Sequence, residues 1–251
     1  EGGNVKEEPK KQGDEVIGFV NFDSGLSDSN EVELTIPFDR ISSASRGKYI
    51  RILTDDKRNF LARISKGPFY ETNAISKDSA YAKVSILEAE NNKILAPEYH
   101  GTCFVRLMGE LDMDKLTVTG SSARPKPQAR AIALTSHQIE GILAVGGHDM
   151  YLGRLKDYSD VHVTYPSNQM RGLPRNVGIF GTIGSGKTNT SQVLIEEAST
   201  HNWTVIILDV EGEYVRMDQA SEQELPFNKF GIEPQPLEHF GVYHPSHGEA
   251  T

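Results

Sequence analysis

The chain has 251 residues, with 26 Lys and Arg against 35 Asp and Glu, a formal net charge of −9, 37% hydrophobic residues and one cysteine. That length suits two domains of ordinary size, and a lone cysteine excludes an intramolecular disulfide and a Cys-rich metal centre. A net negative surface argues against coating nucleic acid through general basicity, though not against a ring whose basic residues line only its bore.

Residues 1–14 are charged, Gly-rich and nearly free of large apolar side chains, and are expected to form a disordered tail. This opening has no apolar core of the signal-peptide kind, and no apolar run approaches the roughly 20 residues that span a membrane; a cytoplasmic location without membrane contact is expected. From Glu15 the pattern changes to short alternating or β-branched runs: EVIGFVNF (15–22), EVELTIPF (31–38), KYIRILTD (48–55), NFLARISKG (59–67), YAKVSILEA (81–89) and TCFVRLMG (102–109). Turn-forming residues separate them, and TDDKRN joins two runs closely enough for a hairpin. Strands of this length and spacing read as an antiparallel barrel or sandwich over 15–119.

The segment GSSARPKPQAR (120–130) reads as a linker, which puts a second domain at 131–251. SHQIEGILAV (136–145) predicts a short helix with Ser136 as its N-cap and Ile139, Ile142 and Leu143 on one face. YLGRL (151–155) and DVHVTYP (160–166) follow as short extended segments.

The most specific chemistry lies in GIFGTIGSGKTNT, Gly178 to Thr190, whose Gly181–Thr188 fits G-x-x-x-x-G-K-[ST], the Walker A phosphate loop. Gly181, Gly184 and Gly186 permit backbone conformations that turn successive N–H groups toward phosphates. With Thr182, Ile183, Ser185 and Asn189 they form the predicted nucleotide-binding set; Lys187 would sit on the β- and γ-phosphates and Thr188 would hold Mg²⁺. A helix from Lys187 would aim its positive end at the same anion. The bland alternative is a chance match on a Gly-rich turn. Context opposes it: the apolar run NVGIF (176–180) precedes the loop, a helix-length segment follows, and WTVIIL (203–208) supplies a second apolar strand, completing a βαβ unit.

That second strand ends in DVEGEY, Asp209 to Tyr214. Carboxylates at the end of a parallel strand face the ligand crevice of open α/β sheets, so Asp209 is a candidate for the metal shell, and Asp209, Glu211 and Glu213 for positioning water. The competing reading is a plain turn, capped by Asp209 and bent at Gly212. Both stay open on the sequence alone.

RNVGIFGTIGSGKTNTSQVLIEE together with VIILDVEGEY resembles the HerA-type ATPases of the HerA/FtsK superfamily. The D-x-x-G-E-Y ending is more distinctive than the loop itself, YLGRL resembles the family's linker, and the β-rich region is similar to its HAS-barrel. The resemblance implies a homo-hexameric ring that hydrolyses ATP with Mg²⁺ and moves double-stranded DNA, in end processing with a NurA-type nuclease or in defence. It assigns phosphate and metal roles to Gly184, Gly186, Lys187 and Thr188. It also matches Arg175 to an arginine of the motor, whose role is left open between nucleotide contact and a solvated residue. Ile183 departs from the Thr common in relatives. The expected fold is therefore a β-barrel followed by a partial α/β P-loop (RecA-like) domain, because the stretch after Arg175 is too short for a whole motor and is expected to be cut inside it.

A nucleotide-binding, partner-docking module without motor activity is the alternative. A kinase or GTPase is a further one, and the absence of N-K-x-D leaves GTP unsupported. His244 and His247 have H-x-x-H spacing across Pro245 but read as loop histidines, and Cys103 reads as a buried packing residue. Arg40, Arg46, Lys48, Arg51, Lys57 and Arg58 read as a charged solvated face, with a basic patch as the functional alternative.

Overall fold

The structure is a computed structural model that describes residues 15–22, 30–89, 97–168, 176–220 and 236–243. The expected tail, Arg175, residues 221–235 of the surface loop expected over 221–239, and both His244 and His247 lie outside the described residues. The chain divides into two units, Glu1–Ile142 and Leu143–Thr251.

In the first unit, alternation of apolar and polar residues sets the strands. β2 (Glu31–Ile36) buries Val32, Leu34 and Ile36 and turns Glu31, Glu33 and Thr35 outward. β1 (Val16–Val20), β3 (Tyr49–Leu53) and β4 (Asn59–Thr72) depart from strict alternation, β3 burying Ile50, Arg51 and Ile52 and β4 burying Phe60, Leu61 and Ala62 in succession. The predicted hairpin turn is present, with the Thr54 N–H donating to the Arg58 carbonyl at 3.0 Å. β5 (Tyr99–Asp112) runs the length of β4, and bulges bend this long pair. β6 (Thr117–Thr119) adds to the end of β5, and β7 (Arg130–Ala133) inserts between β1 and β3. Because β2 also pairs with β5, the order β2-β1-β7-β3-β4-β5 closes on itself. Closure leaves the six strands without an unpaired edge around a core of Ile17, Leu34, Ile52, Phe60, Ile64 and Val105.

The sequence placed a strand at 81–89, and the structure places a helix there, α1 (Ala80–Leu87). The run Ala82, Val84, Ile86 mimics a strand face, but the Ser79 hydroxyl accepts from the Ala82 N–H and opens a helix in which Ala80, Ala82, Lys83 and Leu87 are good formers. Only Ala82 and Ser85 are buried, so the local cap outweighed the alternation. The expected linker also differs. Within 120–130, Arg124 donates to the Glu31 carbonyl at 2.8 Å and Gln128 N–H to the Val20 carbonyl at 2.8 Å, and the closing strand β7 follows. The barrel thus takes one strand more than its expected span.

α2 (Ser136–Leu143) is present with Ile139 buried, but its cap is Thr135 rather than Ser136. The Thr135 hydroxyl accepts from the Gln138 N–H at 3.3 Å and Gln138 Oε1 accepts from the Thr135 N–H at 2.9 Å, a reciprocal capping box. In the second unit, β8 (Met150–Leu155) and β9 (Tyr158–Tyr165) form an antiparallel hairpin. α3 (Lys187–Thr200) is tied to it where Glu197 Oε2 accepts from the Tyr151 N–H at 2.7 Å. The two predicted apolar strands are not formed: among the described residues, 176–180 and 204–208 pair with nothing, and Phe180, Ile206 and Leu208 are 94, 85 and 93% exposed. An apolar run specifies burial, whereas a strand also needs a neighbour for its N–H and C=O groups. Among the described residues no helix is long and apolar enough to cross a membrane.

Candidate phosphate site and its acidic partner

The loop after Phe180 is organised by its glycines. Gly184 and Gly186 have φ of +76° and +84°, the left-handed region where a Cβ adds strain, and nothing crowds them. At Gly181 a Cβ would meet Ser185 Oγ, which would have to rotate away. The Ser185 N–H donates to the Thr182 carbonyl at 3.2 Å, closing the turn that delivers the chain into α3.

α3 begins with Gly186 as N-cap, without a side-chain cap and without an acidic residue in its first turn. The first-turn N–H groups of this 14-residue helix are therefore left without a side-chain cap at its positive end, where the loop joins it. Lys187 reaches back over the loop, its Nζ donating to the Thr182 carbonyl at 3.0 Å. Glycines in the left-handed region, uncapped amides and an ammonium suit a phosphate chain; this donor set fits an anion and no cation.

The oxygens across from it suit the opposite charge. Thr188 Oγ1 donates to Glu213 Oε2 at 2.7 Å, and Gln192 Nε2 donates to the Glu213 backbone carbonyl at 3.2 Å. A hydroxyl beside a carboxylate is the hard-oxygen chemistry that Mg²⁺ takes while keeping several waters. Among the described residues no three His, Cys, Asp or Glu gather as a metal cage, so Mg²⁺ here would depend on the nucleotide's oxygens for much of its coordination.

The DVEGEY segment folds as a turn around Asp209. Asp209 Oδ1 accepts from the N–H groups of Glu211 and Gly212 at 3.1 and 2.9 Å, and Oδ2 from that of Tyr214 at 3.0 Å. These donors, Tyr214 foremost, hold the Asp209 carboxyl below its ordinary range, and Gly212 bends the chain at φ +75°. Glu211 is exposed. Of the predicted acids, the structure brings Glu213 to Thr188. Gln192 was missed in the sequence, yet it sits one helical turn after Thr188, and that spacing places it on the same face.

The remaining candidates sort by their surroundings. Cys103 is fully buried in β5 and burial pushes its thiol up to about 11, which suits packing and not nucleophilic attack. The basic residues of the barrel do not form one solvated face. Arg51 is buried, Arg58 pairs with Glu110 and lies over the Phe60 ring, and Arg40 donates to the Val16 carbonyl at 2.7 Å. Arg46 and Lys57 are exposed.

Comparison with known proteins bears on the second unit. Residues 150–246 match the family model of the helicase HerA central domain. The second unit is thus similar to the HerA central domain over most of its length. Over 113 residues the chain is 28% identical to a probable DNA double-strand break repair helicase HerA of Methanocaldococcus jannaschii, covering 45% of this chain and 22% of that protein. The chain thus spans about a fifth of that relative's length. The HerA-type match takes in β8, β9, the glycine loop, α3 and the Asp209 turn together.

Proposed function

We propose that the intact protein is an ATP-driven motor on double-stranded DNA, to which this chain contributes a closed barrel and the phosphate-binding end of a HerA-type domain. The observation that carries this reading is the glycine loop at the uncapped start of α3, with Lys187 above it and Thr188 joined to Glu213. The HerA match supports the motor class, and the name of the archaeal relative supports duplex DNA as the substrate.

In this mechanism the loop amides from Gly181 to Thr188 and the Lys187 ammonium hold the β- and γ-phosphates and stabilise charge on the transferring phosphoryl group. The Thr188 hydroxyl would hold Mg²⁺, which would supply positive charge to offset that of the phosphates. Asn189 and the backbone of Thr182, Ile183 and Ser185 complete the cradle, with Arg175 as a further contact. Asp209, whose carboxylate also organises the turn, and Glu211 would help to position water of the metal's shell. The barrel packs subunits into a homo-hexameric ring and offers a docking face to a nuclease.

Phosphate release by the intact protein, with and without linear duplex DNA, tests this. Wild-type turnover should rise on adding duplex. Lys187→Ala should remove turnover while the barrel still assembles, because nothing in the barrel's core depends on that side chain. Turnover that survives Lys187→Ala would sink the loop assignment.

A further inference from the structure

We infer that Glu213 is a positioning residue for the metal of the nucleotide site, acting through Thr188 as the acceptor of its hydroxyl proton. This inference rests on the nucleotide reading of the loop and adds a group that the phosphate-loop motif does not contain. A threonine hydroxyl has one proton and two lone pairs, and it ligates a cation through a lone pair. The proton must then point elsewhere, to an acceptor fixed on the far side. Glu213 supplies that acceptor, with its Oε2 2.7 Å from Thr188 Oγ1.

Its placement is built into the fold. Asp209 gathers the N–H groups of Glu211, Gly212 and Tyr214, which fixes the turn on both sides of Glu213. Gln192 on α3 holds the Glu213 backbone carbonyl, so helix and turn are joined one turn beyond Thr188. In this arrangement the DVEGEY turn is a bracket: Asp209 shapes it, and Glu213 is the residue it presents. Hydrogen-bond partners of a metal ligand typically account for roughly 10–100-fold of metal affinity, because they fix the ligand's orientation.

The same carboxylate has an opposite effect when the metal is removed. It then lies close to bound phosphates as an uncompensated negative charge, and repels them. The two contributions predict effects of opposite sign for Glu213→Gln, a pattern that general damage to the fold would not give.

The test is fluorescence titration of the 251-residue chain with mant-ATP, in excess EDTA and in excess MgCl₂. For wild type, Mg²⁺ should tighten binding. Glu213→Gln should lose about 10-fold or more of the affinity in MgCl₂, and should bind as well as wild type or tighter in EDTA. Gln192→Met, which removes the clamp and keeps the chain length, should lose part of the Mg²⁺ gain, and Glu213→Asp should restore part of what Glu213→Gln loses. A Glu213→Gln variant that keeps the full Mg²⁺ gain overturns the inference and leaves the loop reading standing. Equal weakening in both buffers overturns it as well, since Glu213 would then only support the fold. No binding by wild type in either buffer removes the nucleotide reading and the inference with it.

Discussion

At the mouth of the β8–β9 hairpin, Asp149 accepts from both the N–H and the hydroxyl of Ser167, a residue with no solvent exposure. The Ser167 hydroxyl, followed by its N–H, draws the Asp149 carboxyl down to about 2. A carboxyl lower in the folded than in the unfolded chain adds stability above its unfolded value. That stability fades as pH falls toward the folded value. Urea unfolding of wild type and Asp149→Asn should therefore differ at neutral pH and converge between about pH 4 and the folded value near 2. A gap that stays constant down to pH 2 would contradict this account of Asp149. The pair could not be read from the sequence, since a contact between residues on the two arms of a hairpin follows no short motif. The glycine loop could, because its spacing marks Gly181, Gly184, Gly186, Lys187 and Thr188 as one motif, and Gly184 and Gly186 take the positive φ that the motif anticipates. Glu213 fell between the two cases. Its motif was visible, but which of three acids in one turn meets Thr188 needed the hydrogen bond between Thr188 and Glu213.

Among the elements, those with two agreeing signals were legible. The alternation in β2 and the Thr54–Asn59 turn between β3 and β4 reappear as drawn. Where local and periodic signals conflicted, the local one prevailed, as the Ser79 cap turned 80–87 into α1. β7 was hidden because a four-residue strand after two prolines is too short to announce itself, and only pairing with both β1 and β3 defines it. The barrel's stability rests on how its strands fill the interior. Phe60 of β4 is among the largest fully buried side chains there. Phe60→Ala should cost roughly 3–5 kcal/mol, the range for aromatic deletions in well-packed cores, seen as a lower urea midpoint for the loss of near-ultraviolet circular dichroism. A shift under about 1 kcal/mol, the scale of an exposed substitution, would mean that Phe60 does not support the barrel core.

For the whole molecule, two units carry two kinds of information. The first is legible as physics: strands close, and the core fills with aliphatic side chains. The second is legible as a motif, since its glycine loop, helix and acidic turn come together although the apolar runs at 176–180 and 204–208 stand exposed and unpaired among the described residues. Sequence periodicity predicted their burial but could not supply the neighbouring strands that burial requires. Such exposed apolar segments seek cover. The net charge of −9 requires any grip on DNA to be local, and makes it sensitive to salt. The most direct test of a motor on duplex DNA is displacement of a third strand from a DNA triplex by the intact protein. The proposed function predicts displacement that requires ATP and Mg²⁺, stops with a non-hydrolysable analogue and is absent in Lys187→Ala. Displacement without nucleotide, or ATP turnover indifferent to duplex and unaccompanied by displacement, would contradict it.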